Sequence, residues 1–478
     1  MQTKLLLIII TFFLIYNDCK AQFFEANNYC IKDLPQSNNL NPSFVSRYKF
    51  YVQFPALDIN LNYRGLSFYD VYNSENQDGD LYINLNKLND KLYDNKLLSF
   101  QLNLGLIAFG YRYKNNYFNF RITEKNDFRY IFNNHLIEFA AKGNVAFLTK
   151  EMNLSPKIKF TNYTELGFNW VRKKSKYLYY GITGKLLFGK AYADSNDYDL
   201  TLKSNSHADY FQAKGSGKMY VYLPNLDVVN DTIRTADDIK LYNLEQKHIL
   251  NFANKGFAVD VGVRYKYRNN ITFSSSLIDF GFINLNNGYE LSKSYEQRVD
   301  MLDLSHSIND HDPNYKDVKD VYKETIEDIK NKIDTSKFVV SKKKSFVSFL
   351  TPKIYAGVEY KYNKNLKFNG LLMTELYDYD LYAGISLAAQ YNTKYFNIIA
   401  NTMYSSNTLD AGVGFNVKLG FFQLFMASDN ILSGLKLLNA RNLNFRFGLN
   451  IVPIKFKEKY TVENFCEKYL KQRLDEEF

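Results

Sequence analysis

The chain has no long apolar run after its first 21 residues and few signatures of catalysis. A helix needs about 20 consecutive apolar residues to cross the hydrocarbon core of a bilayer, and no such stretch follows residue 21. Helical membrane spans are therefore excluded. The chain also lacks a glycine-rich phosphate loop after a strand, a Cys-x-x-Cys pair and a Ser, His and acid arrangement suited to hydrolysis. The sequence thus predicts neither an enzyme with catalytic residues nor a bound cofactor.

Histidine is scarce, with five residues in the whole chain. His306 and His311 lie close to Asp303, Asp310 and Asp312, and such a group could hold a divalent ion. A solvated acidic loop explains the same residues and is the preferred interpretation. No metal site is therefore predicted.

Only three cysteines occur, and the first lies in a leader. Lys4, the apolar run from Leu5 to Ile15 and Ala21 before Gln22 indicate a signal peptide over residues 1–21, so the chain is exported. The other two cysteines, Cys30 and Cys466, lie near opposite ends of the mature chain. In an oxidising compartment they could form a disulfide. Two unpaired thiols are an equal alternative, because the sequence gives no distance between them.

Tryptophan occurs once, whereas tyrosine occurs 40 times and phenylalanine 39 times. Aromatic girdles at both membrane interfaces of a barrel would use such residues, and an A/T-rich genome would also inflate their numbers. The net charge of +10 is spread through the chain rather than gathered on one module. No nucleic-acid partner is therefore predicted.

Fourteen stretches alternate apolar and polar residues at period two, which is the pattern of strands with two different faces. The pattern is clear from Phe257 to Tyr267, where apolar residues alternate with Ala258, Asp260, Gly262, Arg264 and Lys266. The predicted strands are 47–63, 97–113, 117–131, 158–173, 177–190, 256–268, 270–283, 351–362, 365–377, 380–391, 394–405, 408–418, 420–428 and 442–454.

The connections between these stretches alternate in length. Turns rich in Asn and Lys follow the even stretches, and most odd stretches are followed by long segments, which are 64–96, 132–157, 191–255, 284–350 and 429–441. Short periplasmic turns and long outer loops are typical of outer-membrane barrels. The fold class predicted is therefore all-β, an antiparallel transmembrane β-barrel of about 14 strands in the outer membrane, with short helices in its extracellular loops.

Four regions lie outside the strand pattern. Residues 22–46 are expected to form a periplasmic or plug-like segment before the barrel at 47–454. The insertion 191–255 is expected to extend a hairpin above the membrane, and the insertion 284–350 has an amphipathic helical pattern over 314–333. Residues 455–478 have a second helical pattern, which predicts a periplasmic helical tail.

Charged residues at inward positions of the predicted strands are the candidate lumen residues. They are Asp260, Arg264, Glu359, Lys361, Asp410 and Arg446. Such groups can select ions in a water-filled lumen, or they can pair with one another in a wet interior; the second interpretation is preferred.

Several strand sequences resemble a family of Bacteroidota outer-membrane barrels. The resemblance rests on the Ala21-Gln22 junction, on the strands from Gly256 to Val263 and from Ile271 to Phe282, on Gly167-Phe168-Asn169-Trp170 and on Ser428-Asp429-Asn430. It covers most of the mature chain and is specific for fold rather than activity. That family is in turn similar to the fourteen-stranded long-chain fatty-acid transporters and to barrels that accompany the type IX secretion system. Residues 22–46 do not match the N-terminal plug of those transporters, so no binding residues are carried over.

Two functions are expected from these observations. The first is binding or passage of a small hydrophobic molecule, because fourteen strands enclose a lumen. The second is a non-transporting partner or anchor in a secretion or surface-attachment assembly. A continuous lumen or lateral opening with apolar side chains would favour the first, and a filled lumen with an apolar patch on the loops or tail would favour the second. Outer-membrane lipid and lipopolysaccharide are expected partners in either case.

Overall fold

The structure is a computed structural model. It describes residues 25–32, 34–63, 74–75, 81–82, 96–132, 134–135, 138, 148, 150–155, 157–205, 210–224, 226–228, 232–233, 239–241, 251–300, 320, 323–324, 327, 338–342, 345–377, 380–405, 408–431 and 442–455. The predicted signal peptide, the group from Asp303 to Asp312, most of the predicted helix at 314–333 and the tail after residue 455 lie outside these ranges.

Fourteen antiparallel strands form the wall of a barrel. Labelled β1 to β14 in chain order, they are Tyr48–Tyr63, Lys96–Tyr113, Asn116–Phe132, Lys157–Lys173, Leu178–Asp194, Lys255–Lys266, Ile271–Asn286, Lys353–Lys361, Leu366–Tyr377, Asp380–Asn392, Phe396–Ser405, Thr408–Leu419, Phe422–Ser428 and Asn442–Lys455.

The barrel closes because its first strand pairs with its last. On β1, Asp58 lies opposite Arg446 of β14 and opposite Asn103 of β2, and every other strand pairs with both of its chain neighbours. Closure leaves no open sheet edge, which would be costly in hydrocarbon. The predicted fourteen-stranded barrel is confirmed, and each strand end lies within four residues of its predicted position.

The two faces of the wall differ as the alternation predicts. Along β6, Phe257, Val263 and Tyr265 are exposed on the outside, whereas Ala258 and Asp260 are fully buried on the inside. Large apolar side chains, among them Leu186 and Phe280, are likewise exposed on the outside of other strands. An apolar outer surface of this extent is suited to lipid rather than to water.

The barrel has one end with tight turns and one end with long connections, and we call them the turn end and the loop end. Both chain ends of the barrel, Tyr48 and Lys455, lie at the turn end. At the loop end, further strands extend the sheet. They are Glu151–Asn153, Tyr198–Ser204, Tyr210–Tyr222, Thr232–Ile233, Tyr289–Asp300, Phe338–Lys342 and Ser345–Phe349, with two separate small hairpins, Ser74–Glu75 with Leu81–Tyr82 and Leu226–Val228 with Ile239–Leu241.

The insertion 284–350 forms strands at both of its ends. Tyr289–Asp300 pairs along its whole length with Tyr210–Tyr222, and Phe338–Lys342 pairs with Tyr289–Asp300, so the two arms are strands. In the predicted helical region, the described residues Asp320, Lys323, Glu324 and Glu327 are helical and exposed. Pairing with Tyr210–Tyr222 of the other insertion stabilises these strands, because it satisfies backbone groups that a free loop would leave to water.

The main helices of the described chain are one short α-helix, Ala26–Cys30, and one 3₁₀ turn, Pro35–Asn39. Neither these nor any other helix among the described residues is long and apolar enough to cross a membrane. Both lie before β1, and their side chains are buried.

Candidate functional site: a plugged and charged lumen

The segment before β1 lies inside the barrel, and we call its residues 25–32 and 34–46 the plug. Its local structure follows from its sequence. Pro35 fixes φ at the first position of the 3₁₀ turn, and Leu34 before it is extended, as residues before proline usually are. Short Asn side chains fold the rest of the segment: Asn38 donates to the carbonyl oxygens of Pro42 and Phe44 at 3.2 and 2.9 Å.

An aromatic anchor holds the first half of the plug. The ring of Tyr29 stacks on Tyr355 of β8 with a centroid distance of 5.4 Å and meets Phe44 edge-on at 5.0 Å. Its hydroxyl donates to Ser274 Oγ of β7 at 3.1 Å and accepts from Asn41 Nδ2 at 3.0 Å. The ring of Tyr29 is therefore packed against other aromatic rings and its hydroxyl is hydrogen-bonded, as a buried tyrosine requires.

Polar contacts fasten the plug around the barrel. The Asn27 backbone N–H donates to Asp429 Oδ1 after β13 at 2.9 Å, and Gln36 Nε2 donates to Asn450 Oδ1 of β14 at 2.7 Å. On the opposite wall, the Ser276 hydroxyl of β7 donates to the Leu40 carbonyl oxygen at 2.6 Å. These hydrogen bonds add to two buried apolar clusters, in which side chains of the plug pack against the wall.

Two glycines let the plug approach the wall closely. Gly181 of β5 lies against the carbonyl of Pro42, and Gly262 of β6 lies against Asn41 and Pro42. A Cβ atom at either position would overlap plug atoms. Glycine is thus required at these two wall positions for the plug to seat.

Beside the plug, charged side chains from five adjacent strands form a cluster that we call the lumen ion cluster. Its members are Arg121 and Lys125 of β3, Glu165 of β4, Lys185 of β5, Asp260 of β6 and Asp279 of β7. Lys185 Nζ lies 2.7 Å from Asp260 Oδ1 and 2.6 Å from Asp279 Oδ1, and Arg121 Nε lies 3.0 Å from Glu165 Oε1. Lys125 Nζ lies 3.0 Å from Glu165 Oε2. Three cations balance three carboxylates, which is the condition for burying charge at acceptable cost.

A β-bulge brings Asp279 into this cluster. The register between β6 and β7 shifts at Asp260, so that Ile278 and Asp279 together lie opposite one residue. Asp279 adopts a φ of 59°, and its backbone N–H donates to Asp260 Oδ1 at 2.8 Å. A left-handed backbone costs an aspartate about 1 kcal/mol or more. The two ion pairs to Lys125 and Lys185 offset that cost.

A second buried centre is Arg446 of β14. Its guanidinium lies 3.0 Å from Asp58 of β1, 3.6 Å from Glu25 of the plug and in direct contact with Asp429. It also donates to Asn60 Oδ1 at 2.9 Å. One guanidinium therefore serves three carboxylates and ties the closing seam of the barrel to the plug.

A third group lies nearer the loop end. Arg129 Nη2 lies 2.7 Å from Glu375 Oε1, and Arg129 Nε lies 2.8 Å from Asp127 Oδ1. The same guanidinium stacks over the Tyr377 ring at 4.1 Å. The N–H groups of this fully buried guanidinium therefore bond to two carboxylates, and its planar face contacts an aromatic ring.

A cavity of about 140 Å³ lies on the loop-end side of the plug. The plug forms its floor with Glu25, Asn28, Gln36, Asn39 and Leu40. The walls contain members of all three charged groups together with apolar residues, among them Ile278, Phe349 and Leu350. Such a cavity can bind and orient a small molecule that carries polar or charged groups.

The six candidate lumen residues are distributed over separate places. Asp260 belongs to the lumen ion cluster, Arg446 is the second centre, and Asp410 of β12 is buried. Glu359 and Lys361 of β8 lie at the turn end, where Glu359 pairs with Lys32 at 3.2 Å. Arg264 of β6 is also at the turn end, with its guanidinium 4.0 Å from the Tyr179 ring centroid. The structure does not bring these six residues together in one site.

The residues that complete the charged groups were not among the candidates. The same alternation would have found Glu165 and Lys185, because both occupy positions of their strands that face the inside of the barrel. In the predicted strand, Asp279 occupies a position that faces outward. Only the β-bulge turns its side chain to the inside. No pattern in the sequence places Asp429, because it lies after the end of β13.

Cys30 is buried with Ile31 and Leu34 of the plug against Ala388, Ile399 and Phe425. Burial raises the pKa of this thiol to about 12, which makes it unreactive near neutral pH. Cys466 lies outside the described residues, so its pairing with Cys30 stays a prediction. Among the described residues, no group of His, Cys, Asp and Glu side chains could hold a metal ion.

Glu25 gives the docked plug an expected pH dependence. Burial, and next the negative charge of Asp58, raise the pKa of Glu25 from 4.5 to about 7. The docked plug thus binds a proton more tightly than the undocked plug does. Docking is therefore strongest below about pH 4.5 and weakens as the pH rises through about 7.

This dependence can be measured as the rate at which a maleimide modifies Cys30 in a Cys466→Ser background. A Glu25→Gln variant, which mimics the protonated carboxyl, is the reference at each pH. The excess of the wild-type rate over the Glu25→Gln rate should grow at least about tenfold between pH 5.5 and pH 8.5, because each unit by which docking raises the pKa of Glu25 represents a factor of ten. Equal rates at both pH values would show that Glu25 does not control docking.

The comparisons with known proteins identify the family. A family model described as "Family of unknown function (DUF5723)" matches residues 42–429, which is more than half of the chain. The chain belongs to this family. No curated protein matches it.

Solved structures with similar folds include two toluene transporters and a FadL homologue. The Ralstonia pickettii toluene transporter TbuX aligns with a TM-score of 0.41 and 8% identity over 88% of this chain and 94% of that chain. A Pseudomonas aeruginosa FadL homologue aligns with a TM-score of 0.38 and 8% identity over 88% and 94%. The Pseudomonas putida toluene transporter TodX aligns with a TM-score of 0.36 and 6% identity over 91% and 93%. At such low similarity, function has to be argued from the lumen itself.

Proposed function

We propose that this protein is an outer-membrane barrel that binds a small molecule in the cavity beside the plug and passes it when the plug moves. One observation carries the proposal: the plug crosses the lumen from β14 to β7 and forms the floor of the cavity. A ligand in the cavity therefore contacts the plug directly. The apolar outer wall and the alternation of turns and long connections support an outer-membrane location, with the turn end in the periplasm.

The cavity lining indicates the chemistry of the ligand. Charged groups such as Asp127 and Arg129 lie beside Leu40 and Ile278, so polar and apolar surfaces are both available. Lys353 of β8 also lines the cavity, where the carboxylates of Glu25, Asp127 and Asp279 act on it electrostatically. The lining as a whole has seven cationic side chains and five carboxylates. A small amphiphilic molecule with an anionic or zwitterionic head fits this lining better than the purely hydrophobic molecule expected from the sequence.

Uptake into proteoliposomes tests the proposal. A panel of a short fatty acid, a monoaromatic hydrocarbon, a zwitterionic amino acid and a disaccharide separates the ligand classes. Uptake of a solute with an anionic group should fall at least about tenfold in Lys353→Met, as expected when a charge-assisted contact is lost. Lys266→Met is the matched control, because Lys266 is an inward-facing lysine of β6 outside the cavity.

Two results would overturn the proposal. The first is no uptake of any solute, even after the plug has been displaced. The second is uptake that responds equally to Lys353→Met and Lys266→Met, because the cavity would then have no part in selecting the solute.

The alternative function, a non-transporting partner or anchor, is favoured by one specific observation. The lumen is filled by the plug, and the sheet extends beyond the loop end as Tyr210–Tyr222 and Tyr289–Asp300. Gentle purification from native membranes, followed by mass spectrometry of proteins and lipids, separates the two functions. A stoichiometric protein partner together with no uptake would favour the anchor.

A further inference from the structure

A second concave site lies at the turn end, on the other side of the plug from the cavity. It has a volume of about 360 Å³ and is lined by Arg47, Lys361, Lys364, Asn365, Lys367, Asn392, Thr393 and Lys394. We call it the basic groove. Five of these residues are cations, and the other three have amide or hydroxyl groups. It shares no lining residue with the cavity beside the plug.

Little negative charge compensates these cations. Glu359 is the nearby carboxylate, and it lies 3.2 Å from Lys32 of the plug and 3.4 Å from Lys367. Within the described part of the chain, Lys361, Lys364 and Lys394 have no carboxylate within 4 Å. Clustered ammonium groups repel one another, so an anion bound among them would be stabilised.

An unpaired hydrogen-bond donor lies in the same groove. Asn392 is half-buried, and its Oδ1 accepts a hydrogen bond from Gln390 Nε2 at 3.3 Å. Its Nδ2 has no hydrogen-bond acceptor among the described residues. A buried donor without a partner costs about 1–3 kcal/mol, and an oxygen atom of a bound ligand would remove that cost.

We propose that the basic groove is a binding site for a phosphate group. A phosphate has several oxygens and up to two negative charges, which match a cluster of lysines and an amide donor. The source is either the headgroup of an anionic phospholipid or a soluble phosphate compound. The neighbouring wall suits the lipid headgroup, because Tyr362 and Tyr395 are exposed there and Lys394 lies 5.0 Å from the Tyr395 ring centroid.

Binding is tested with two probes on the full-length protein. Inorganic pyrophosphate is titrated into detergent-purified protein by calorimetry, and native mass spectrometry compares phosphatidylglycerol with phosphatidylcholine. The test variant is Lys361→Gln with Lys364→Gln and Lys394→Gln. The control variant is Lys114→Gln with Lys174→Gln and Lys176→Gln, which removes the same charge from exposed lysines at the same end of the barrel. Exposed substitutions of this kind rarely disturb folding.

The groove variant should lose affinity for phosphate probes at least about tenfold, whereas the control variant should keep wild-type affinity. Binding of phosphatidylglycerol but not pyrophosphate would assign the site to a lipid headgroup, and the reverse would assign it to a soluble phosphate. Equal losses in both variants, or no binding of either probe to wild type, would overturn the proposal. The uptake assay is independent of this result, because no residue is shared between the two sites.

Discussion

Replacing both Gly181 and Gly262 with alanine is expected to release the plug from the barrel. Each added Cβ would overlap Pro42 or Asn41, while the rest of the wall stays unchanged. Cys30 should then react with maleimide about tenfold faster or more, the factor given by about 1.4 kcal/mol of lost docking free energy. Conductance of small ions across planar bilayers should rise together with Cys30 reactivity, because the plug crosses the lumen.

The matched control for this prediction is Gly184→Ala in β5. Gly184 lies three residues from Gly181, and a Cβ there has no atom within 4 Å. The control should keep the slow reaction of Cys30 and the low conductance. If the double variant folds, as judged by heat-modifiable gel mobility, and still protects Cys30, the plug is not held at these two glycines.

Replacing Arg446 with methionine is expected to destabilise the barrel by about 3–5 kcal/mol, the typical cost of removing one partner from a buried ion pair. The side chain is fully buried, and its loss leaves Asp429 and Asp58 without their cation. The free energy of unfolding in urea measures the effect. Arg172→Met is the control, because Arg172 is exposed and bonds only to Asn116 among the described contacts; its effect should stay within about 0.5 kcal/mol.

A compensating variant separates lost charge pairing from lost packing. Adding Asp58→Asn and Asp429→Asn to Arg446→Met removes the unpaired carboxylates and should recover part of the lost stability. If the triple variant is no more stable than Arg446→Met alone, the guanidinium contributes mainly by packing. If Arg446→Met is as stable as wild type, the Arg446 centre does not stabilise the closing seam.

The wall of the barrel was predictable because its signal is local. Residues such as Phe257 and Ala258 differ in polarity at period two, and lipid on one side with a wet lumen on the other imposes that alternation on every strand. The same alternation correctly put Asp260 and Arg446 on the inside. Turn chemistry and connection lengths then gave the number of strands, with tight turns at one end of the barrel and long connections at the other.

The charged centres were only partly predictable. Asp279 has the wrong parity until the bulge at Asp260 shifts the register. Asp429 meets Arg446 only because the chain turns inward after the short strand β13. The local sequence around Asp279 and around Asp429 therefore does not predict which cations these two carboxylates contact.

The sequence by itself determined a closed fourteen-stranded barrel with an apolar outer wall, because strand faces and turns are set by neighbouring residues and by the surrounding solvent. Only the tertiary structure decided that the plug, residues 25–32 and 34–46, lies in the lumen rather than in the periplasm, and that it forms the floor of a charged cavity. The plug is a short polar segment without period-two or helical patterning. Its position depends on contacts with distant strands, such as Tyr29 with Tyr355 and Asn27 with Asp429.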